Sequence, residues 1–95
     1  MKLSEVTTDI VMAHCGCSDD ESRELIEIYS PAAKKYVADY TSCTAEQLDE
    51  YDDIPYAFLC IACEMYSNRS MTVDVDRLNP LAKSILDLRC RSFIA

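Results

Sequence analysis

Residues 53–70 read DIPYAFLCIACEMYSNRS. Proline is tolerated in the first turn of a helix, where its missing N–H would have no partner anyway, so Asp53 or Ile54 with Pro55 marks a helix start. From Tyr56 to Tyr66 the chain is apolar nearly all round: Ala57, Phe58, Leu59, Cys60, Ile61, Ala62, Cys63 and Met65. A helix with no polar face has to be enclosed on most sides. This segment is therefore the expected central helix, and the rest of the chain must wrap it.

The flanking sequence supplies helical material for that purpose. Ser4 has the character of an N-cap for a first helix carrying Val6, Ile10, Val11 and Ala13 and stopping before Gly16. Ser18 and Glu21 have capping-box spacing, with Asp19 and Asp20 suited to the positive end of the next helix. Along that long second helix Leu25, Ile28, Tyr29, Ala32, Ala33, Tyr36, Val37 and Tyr40 share one face. Pro31 lies within it and removes the N–H that would meet the Glu27 carbonyl, which predicts a kink or a break. Thr44 with Gln47 predicts one more capped turn, followed by the acidic loop from Asp49 to Asp53. The last helix is expected to start at Asn79–Pro80 and to carry Leu81, Ile85, Leu86 and Leu88 toward Arg91. The expected fold is all-α: a bundle of about four helices with a long second helix, an apolar central third helix and an extended loop or arm near 70–78.

The arm is the odd element. Met71, Val73 and Val75 alternate with Thr72, Asp74 and Asp76, which is the period of a strand. A lone strand leaves its backbone donors and acceptors without a ladder. Two readings stand: an extended loop packing Val73 and Val75 on its own domain, or an arm whose partner is another subunit.

Ninety-five residues make one domain, 1–95, with a modest core that an oligomer or a larger partner would reinforce. One glycine and three prolines suit helices on short links, and 49% apolar residues exclude a disordered chain. The net charge of −8, without a cluster of Lys and Arg, argues against sequence-specific nucleic-acid binding. The start, MKLSEVTTDIV, does not read as a signal peptide, and the longest apolar run is far short of the ~20 residues that span a bilayer. The six cysteines are accordingly expected to stay reduced in the cytoplasm.

Chemistry-bearing groups are sparse. His14, Cys15 and Cys17, with Cys43 or Cys60, pose a zinc reading, but the spacing is not that of a standard knuckle. Cys60 and Cys63 sit in the most apolar stretch, where free cysteine packs as a small hydrophobe, so no metal is expected. His14, alone of its kind, suits a helix C-terminus better than a general base. The carboxylates of Asp19–Glu21 and Asp49–Asp53 read as solvated turns and helix starts, and a single glycine leaves no phosphate loop. Neither an enzyme nor a cofactor is expected. Arg69 complements the dipole at the end of the central helix, or holds a carboxylate of this chain or a neighbour. Tyr29, Tyr36, Tyr40 and Tyr66 are core or rim residues of a kind also favoured at interfaces.

The order of these features resembles the small head–tail connector (adaptor) proteins of tailed double-stranded DNA bacteriophages. The resemblance runs through LSEVTTDIVMAHCGC, SDDESRELIEIYSPAAKKYVADYT and DIPYAFLCIACEMYSNRS to MTVDVDRL and NPLAKSILDLRCRSFI. Its sharpest piece is Tyr66-Ser67-Asn68-Arg69 closing a helix that Ile54–Pro55 opens. Pro31 and the cysteine content depart from the family pattern.

The resemblance implies a structural virion protein of the neck, assembled in the host bacterial cytoplasm. It would form a ring, commonly twelvefold, beneath the portal protein, extend the DNA channel and dock stopper or tail-completion proteins. DNA would pass through it without sequence-specific binding, and no membrane is involved. Tyr66, Asn68, Arg69, Met71, Val73, Val75, Arg77, Arg89 and Arg91 are the expected subunit or portal contacts. The rival reading is a small acidic helical interaction module of a host or mobile element that binds a basic partner.

Overall fold

The computed structural model describes residues 2–69 and 80–89. Within them lie a short 3-10 turn at Leu3–Glu5 and five α-helices: α1 (Thr8–Cys15), α2 (Asp20–Thr41), α3 (Ala45–Asp49), α4 (Ile54–Asn68) and α5 (Pro80–Arg89). The all-α expectation holds. The Met71–Asp76 arm and the Asn79 cap lie outside the described residues.

The helix α4 is the centre. It packs against α1, α2, α5 and the N-terminal turn. Ile54, Pro55, Ala57, Phe58, Ile61, Ala62 and Met65 are all buried, meeting Ile26, Tyr29, Ala33 and Val37 of α2 and Ala82, Ile85 and Leu86 of α5 in one core. Each fully buried large side chain, Phe58 and Ile61 among them, contributes about 1.5–3 kcal/mol by leaving water.

The caps depart from expectation more than the helices do. Thr7, not Ser4, caps α1: its Oγ1 accepts the Ile10 N–H at 3.3 Å. Ser4 instead lies in the N-terminal turn and gives both its N–H and its hydroxyl to Asp49, at 3.0 and 2.9 Å, tying that turn to α3. Val6 is buried in the link before the helix rather than on it. The stop before Gly16 is as expected. Gly16 adopts φ 76°, where a side chain is strained, and the N–H groups of Gly16 and Cys17 return to the carbonyls of Ala13 and Met12.

For α2 the cap is Asp19 rather than Ser18. A carboxylate carries charge against the dipole and two acceptor oxygens, and Asp19 uses both on Ser22. Pro31 does not break this helix, which runs through it to Thr41. Both Pro31 and Glu27 are exposed, so water can solvate the carbonyl that loses its partner while the opposite face stays packed. The Thr44–Gln47 capping box is present as expected.

The stripe of α5 differs from expectation. Ala82, Ile85 and Leu86 are buried, whereas Leu81 and Leu88 are 57% and 70% exposed. At 100° per residue Leu81, Ser84 and Leu88 share the side turned away from α4. Of the four apolar residues expected on this helix, Ile85 and Leu86 reach the core and Leu81 and Leu88 do not.

Candidate functional site: the two ends of the central helix

The C-terminal turn of α4 carries the Tyr66–Arg69 signature. Arg69 closes the helix in the left-handed region, φ 51° and ψ 44°, a position usually left to glycine. Its guanidinium lies over the Tyr66 ring, 4.3 Å from the centroid, and donates to the Tyr66 carbonyl at 2.5 Å. The Tyr66 hydroxyl meets Ser22 Oγ at 2.6 Å. Because the Ser22 hydroxyl donates to Asp19 at 2.7 Å, Tyr66 must be the donor to Ser22. A proton-ordered chain thus runs from Tyr66 through buried Ser22 to Asp19 and locks the end of α4 to the start of α2. Asp19 is held below the usual carboxylate range, first by the Ser22 hydroxyl and then by the Ser22 N–H, with the positive charge of Arg69 a smaller contribution. Asn68 is tied along its own helix, donating to Glu64 at 2.8 Å.

The other end of α4 is pinned to α5. Arg89 grips Asp53 with two parallel bonds, Nε at 3.2 Å and Nη2 at 2.9 Å, and lies 4.2 Å from the centre of the Tyr51 ring. Tyr40 donates to Asp87, which also pairs with Lys83 at 3.3 Å and is held low mainly by the tyrosine hydroxyl. Asp49 and Asp53 are therefore bonded partners in the structure, not freely solvated turn residues as expected from sequence.

Of the expected contact residues, Tyr66, Asn68 and Arg69 come together on one turn. Arg89 lies at the opposite end of α4, about 20 Å away for a helix of this length. Met71, Val73, Val75, Arg77 and Arg91 lie outside the described residues. Sequence reasoning missed Ser22 and Asp19 as partners of the signature. The available signal was the Asp-x-x-Ser spacing of a cap with its third helical residue.

The cysteines correct one expectation. Cys15 and Cys63 form a disulfide between α1 and α4, with Cα atoms 5.5 Å apart. Reduced thiols were expected from the cytoplasmic compartment, but the packing of α1 on α4 brings this pair into bonding range. Cys17, Cys43 and Cys60 are free. Cys15, once weighed as a zinc ligand, is thereby engaged, and no group of three His, Cys, Asp or Glu among the described residues is placed to hold a metal ion. His14 sits in the last turn of α1, as expected, with its ring edge-on to Tyr56. No described helix is long and apolar enough to cross a membrane.

The two ends of α4 present charged and aromatic side chains held by hydrogen bonds, an ion pair and ring stacking. A family model described as "Phage gp6-like head-tail connector protein" matches residues 6–87, which takes in α1 to α4 and most of α5. No curated protein and no solved structure gave a match. The chain belongs to the family of gp6-like phage head–tail connector proteins.

Proposed function

We propose that this protein forms a ring beneath the portal vertex, extends the DNA channel there and offers a platform to stopper or tail-completion proteins. The family match across residues 6–87 carries the reading, since it covers the bundle and its Tyr66–Arg69 turn rather than one motif. A ring needs heterologous contacts, one face of each subunit meeting a different face of the next. Tyr66, Asn68 and Arg69 supply one such face, a stacked guanidinium and ring at the rim of a well-packed helix. The 71–76 segment, with Val73 and Val75, supplies the other by reaching the adjacent subunit. The formal charge of −8 suits a wall past which DNA slides without sticking. The reading places the protein in the virion neck, assembled in the host cytoplasm, with a structural and non-catalytic role.

Electron microscopy and mass measurement of the purified protein mixed with its cognate portal test this directly. A ring of closed rotational symmetry, about twelvefold, on the portal is the expected result. Persistent failure to form any complex with the portal would refute it.

A further inference from the structure

The Cys15–Cys63 bond joins the last residue of α1 to the middle of α4 across a sequence separation of 48. The short α1 buries only Val11 and Met12 and would be marginal by itself. From its end the chain passes through Gly16, Cys17 and Ser18 directly to Asp19, the acceptor that terminates the Tyr66–Ser22 chain. Whatever holds the end of α1 on α4 therefore also holds the loop that delivers Asp19. Cys15 and Cys63 are both half-buried, open enough for a small reagent to reach.

We propose that Cys15 and Cys63 form a reversible thiol–disulfide site that takes a small-molecule disulfide as its oxidant, and that its closure staples the α1–α4 contact and the loop carrying Asp19. In the closing direction the thiolate of one cysteine attacks the small disulfide, forming a mixed disulfide and releasing one small thiol. The second thiolate then attacks the protein sulfur of that mixed disulfide, forming the Cys15–Cys63 bond and releasing the second small thiol. The cysteine pair loses two electrons, the small disulfide gains them, and the two cysteine protons end on the two released thiols. Packing of α1 on α4 keeps the two thiols side by side when the bond is open, which favours closing on each other over capture of two separate reagent molecules.

Two neighbours compete for the pairing, and both are disfavoured. Cys17 lies only two residues from Cys15 and directs its thiol at the Met12 carbonyl, 3.7 Å away. Cys60, one turn from Cys63 on the same helix, has its thiol pushed up by burial and is a poor nucleophile at neutral pH. Cys43 is buried among Thr41 and Arg89 carbonyls at the far end of the bundle.

The test uses the isolated full chain equilibrated in glutathione buffers from fully reduced to fully oxidised, then alkylated with N-ethylmaleimide and mapped by mass spectrometry. Cys15 and Cys63 are expected to become protected together as oxidised glutathione rises and to be alkylated together in dithiothreitol. The melting temperature of the wild type should fall on reduction by roughly 10–25 °C, the range for a disulfide closing a loop of this size in a small domain. A Cys15→Ser/Cys63→Ser variant should melt near the reduced wild type and show no response to reductant. Should that variant fail to fold, the wild-type comparison alone decides. Alkylation of both cysteines in oxidised buffer, a map pairing either with Cys17 or Cys60, or a redox-insensitive wild-type melt would each overturn the proposal. No portal is needed, so failure here leaves the connector reading standing, and failure to assemble in either redox state strikes that reading and not this one.

Discussion

Replacing Arg69 by glycine separates the part that residue plays in the fold from the part it plays at the surface. Arg69 holds a left-handed backbone, φ 51°, that costs a residue with a side chain about 1 kcal/mol and costs glycine almost nothing. Against that gain, Arg69→Gly removes a stacked contact over the Tyr66 ring, worth about 0.5–1 kcal/mol at an exposed site. It also removes one exposed hydrogen bond to the Tyr66 carbonyl, worth about 0.5–1 kcal/mol. The helix keeps its terminal N–H bonds to Met65 and Tyr66, which belong to the backbone. The isolated subunit should therefore lie between no change and about 1 kcal/mol of lost stability by urea titration, with an unaltered m-value. Portal co-assembly should fall sharply, with Arg69→Lys intermediate because it keeps charge but not the planar stack. A loss of 3 kcal/mol or more in the isolated subunit would show that Arg69 is a fold residue. Unimpaired assembly would instead remove it from the interface.

Pro31→Ala should raise stability by about 1–2 kcal/mol, since alanine restores the N–H facing the Glu27 carbonyl and loses only the entropy benefit of proline in the unfolded chain; a lower urea midpoint would contradict this. Asp19, Asp49 and Asp87 are all held below their ordinary range by hydroxyl donors, so their contribution to stability is fully present above the unfolded value of about 3.9 and is lost as pH falls through the lower folded values. Melting temperature should accordingly show no slope from these groups between about pH 6 and 8 and fall below about pH 4, and Asp19→Asn should flatten part of that fall. If the 71–76 segment contacts a neighbour as proposed, Val73→Asp with Val75→Asp should leave the isolated subunit within about 0.5 kcal/mol of wild type while impairing ring formation. Equal loss in both assays would make them ordinary core.

How much of this was legible in advance depended on the range of the interactions involved. The central helix could be read because Ile54–Pro55 and the run to Met65 are local signals of start and burial that tertiary context only reinforced. Thr44 with Gln47 was legible for the same reason. Ser4 and Ser18 were misplaced because several cap-forming residues stand within a few positions of each other. The choice fell to contacts made 45 residues away, Ser4 with Asp49, and to the second oxygen of Asp19. Pro31 was read by its local cost, whereas the packed face of α2, from Ile26 through Ala33 to Val37, outweighs one missing hydrogen bond on the wet side. The Cys15–Cys63 pairing and the Arg89–Asp53 grip join residues 48 and 36 positions apart, and no pattern in one sequence marks such partners.

These long-range ties share an address, which bears on function. Tyr66 to Ser22 closes one end of α4, Arg89 to Asp53 closes the other, and the disulfide holds its middle to α1. A helix fixed at three levels cannot tilt or rotate without breaking a buried or bidentate contact, so the Arg69 guanidinium is presented from a stiff support rather than from a loose helix end. In a closed ring each subunit repeats the same contact around the circle, and an angular error in one subunit accumulates over all the others. If the proposed ring closes through the Tyr66–Arg69 turn, rigidity at that turn is what closure demands of the chain. Loosening Tyr66 by Tyr66→Phe, which removes only the donor to Ser22, should cost the subunit about 1 kcal/mol yet broaden the distribution of ring sizes seen by mass measurement. A uniform ring from that variant would show that closure is governed elsewhere than at the α4 terminus.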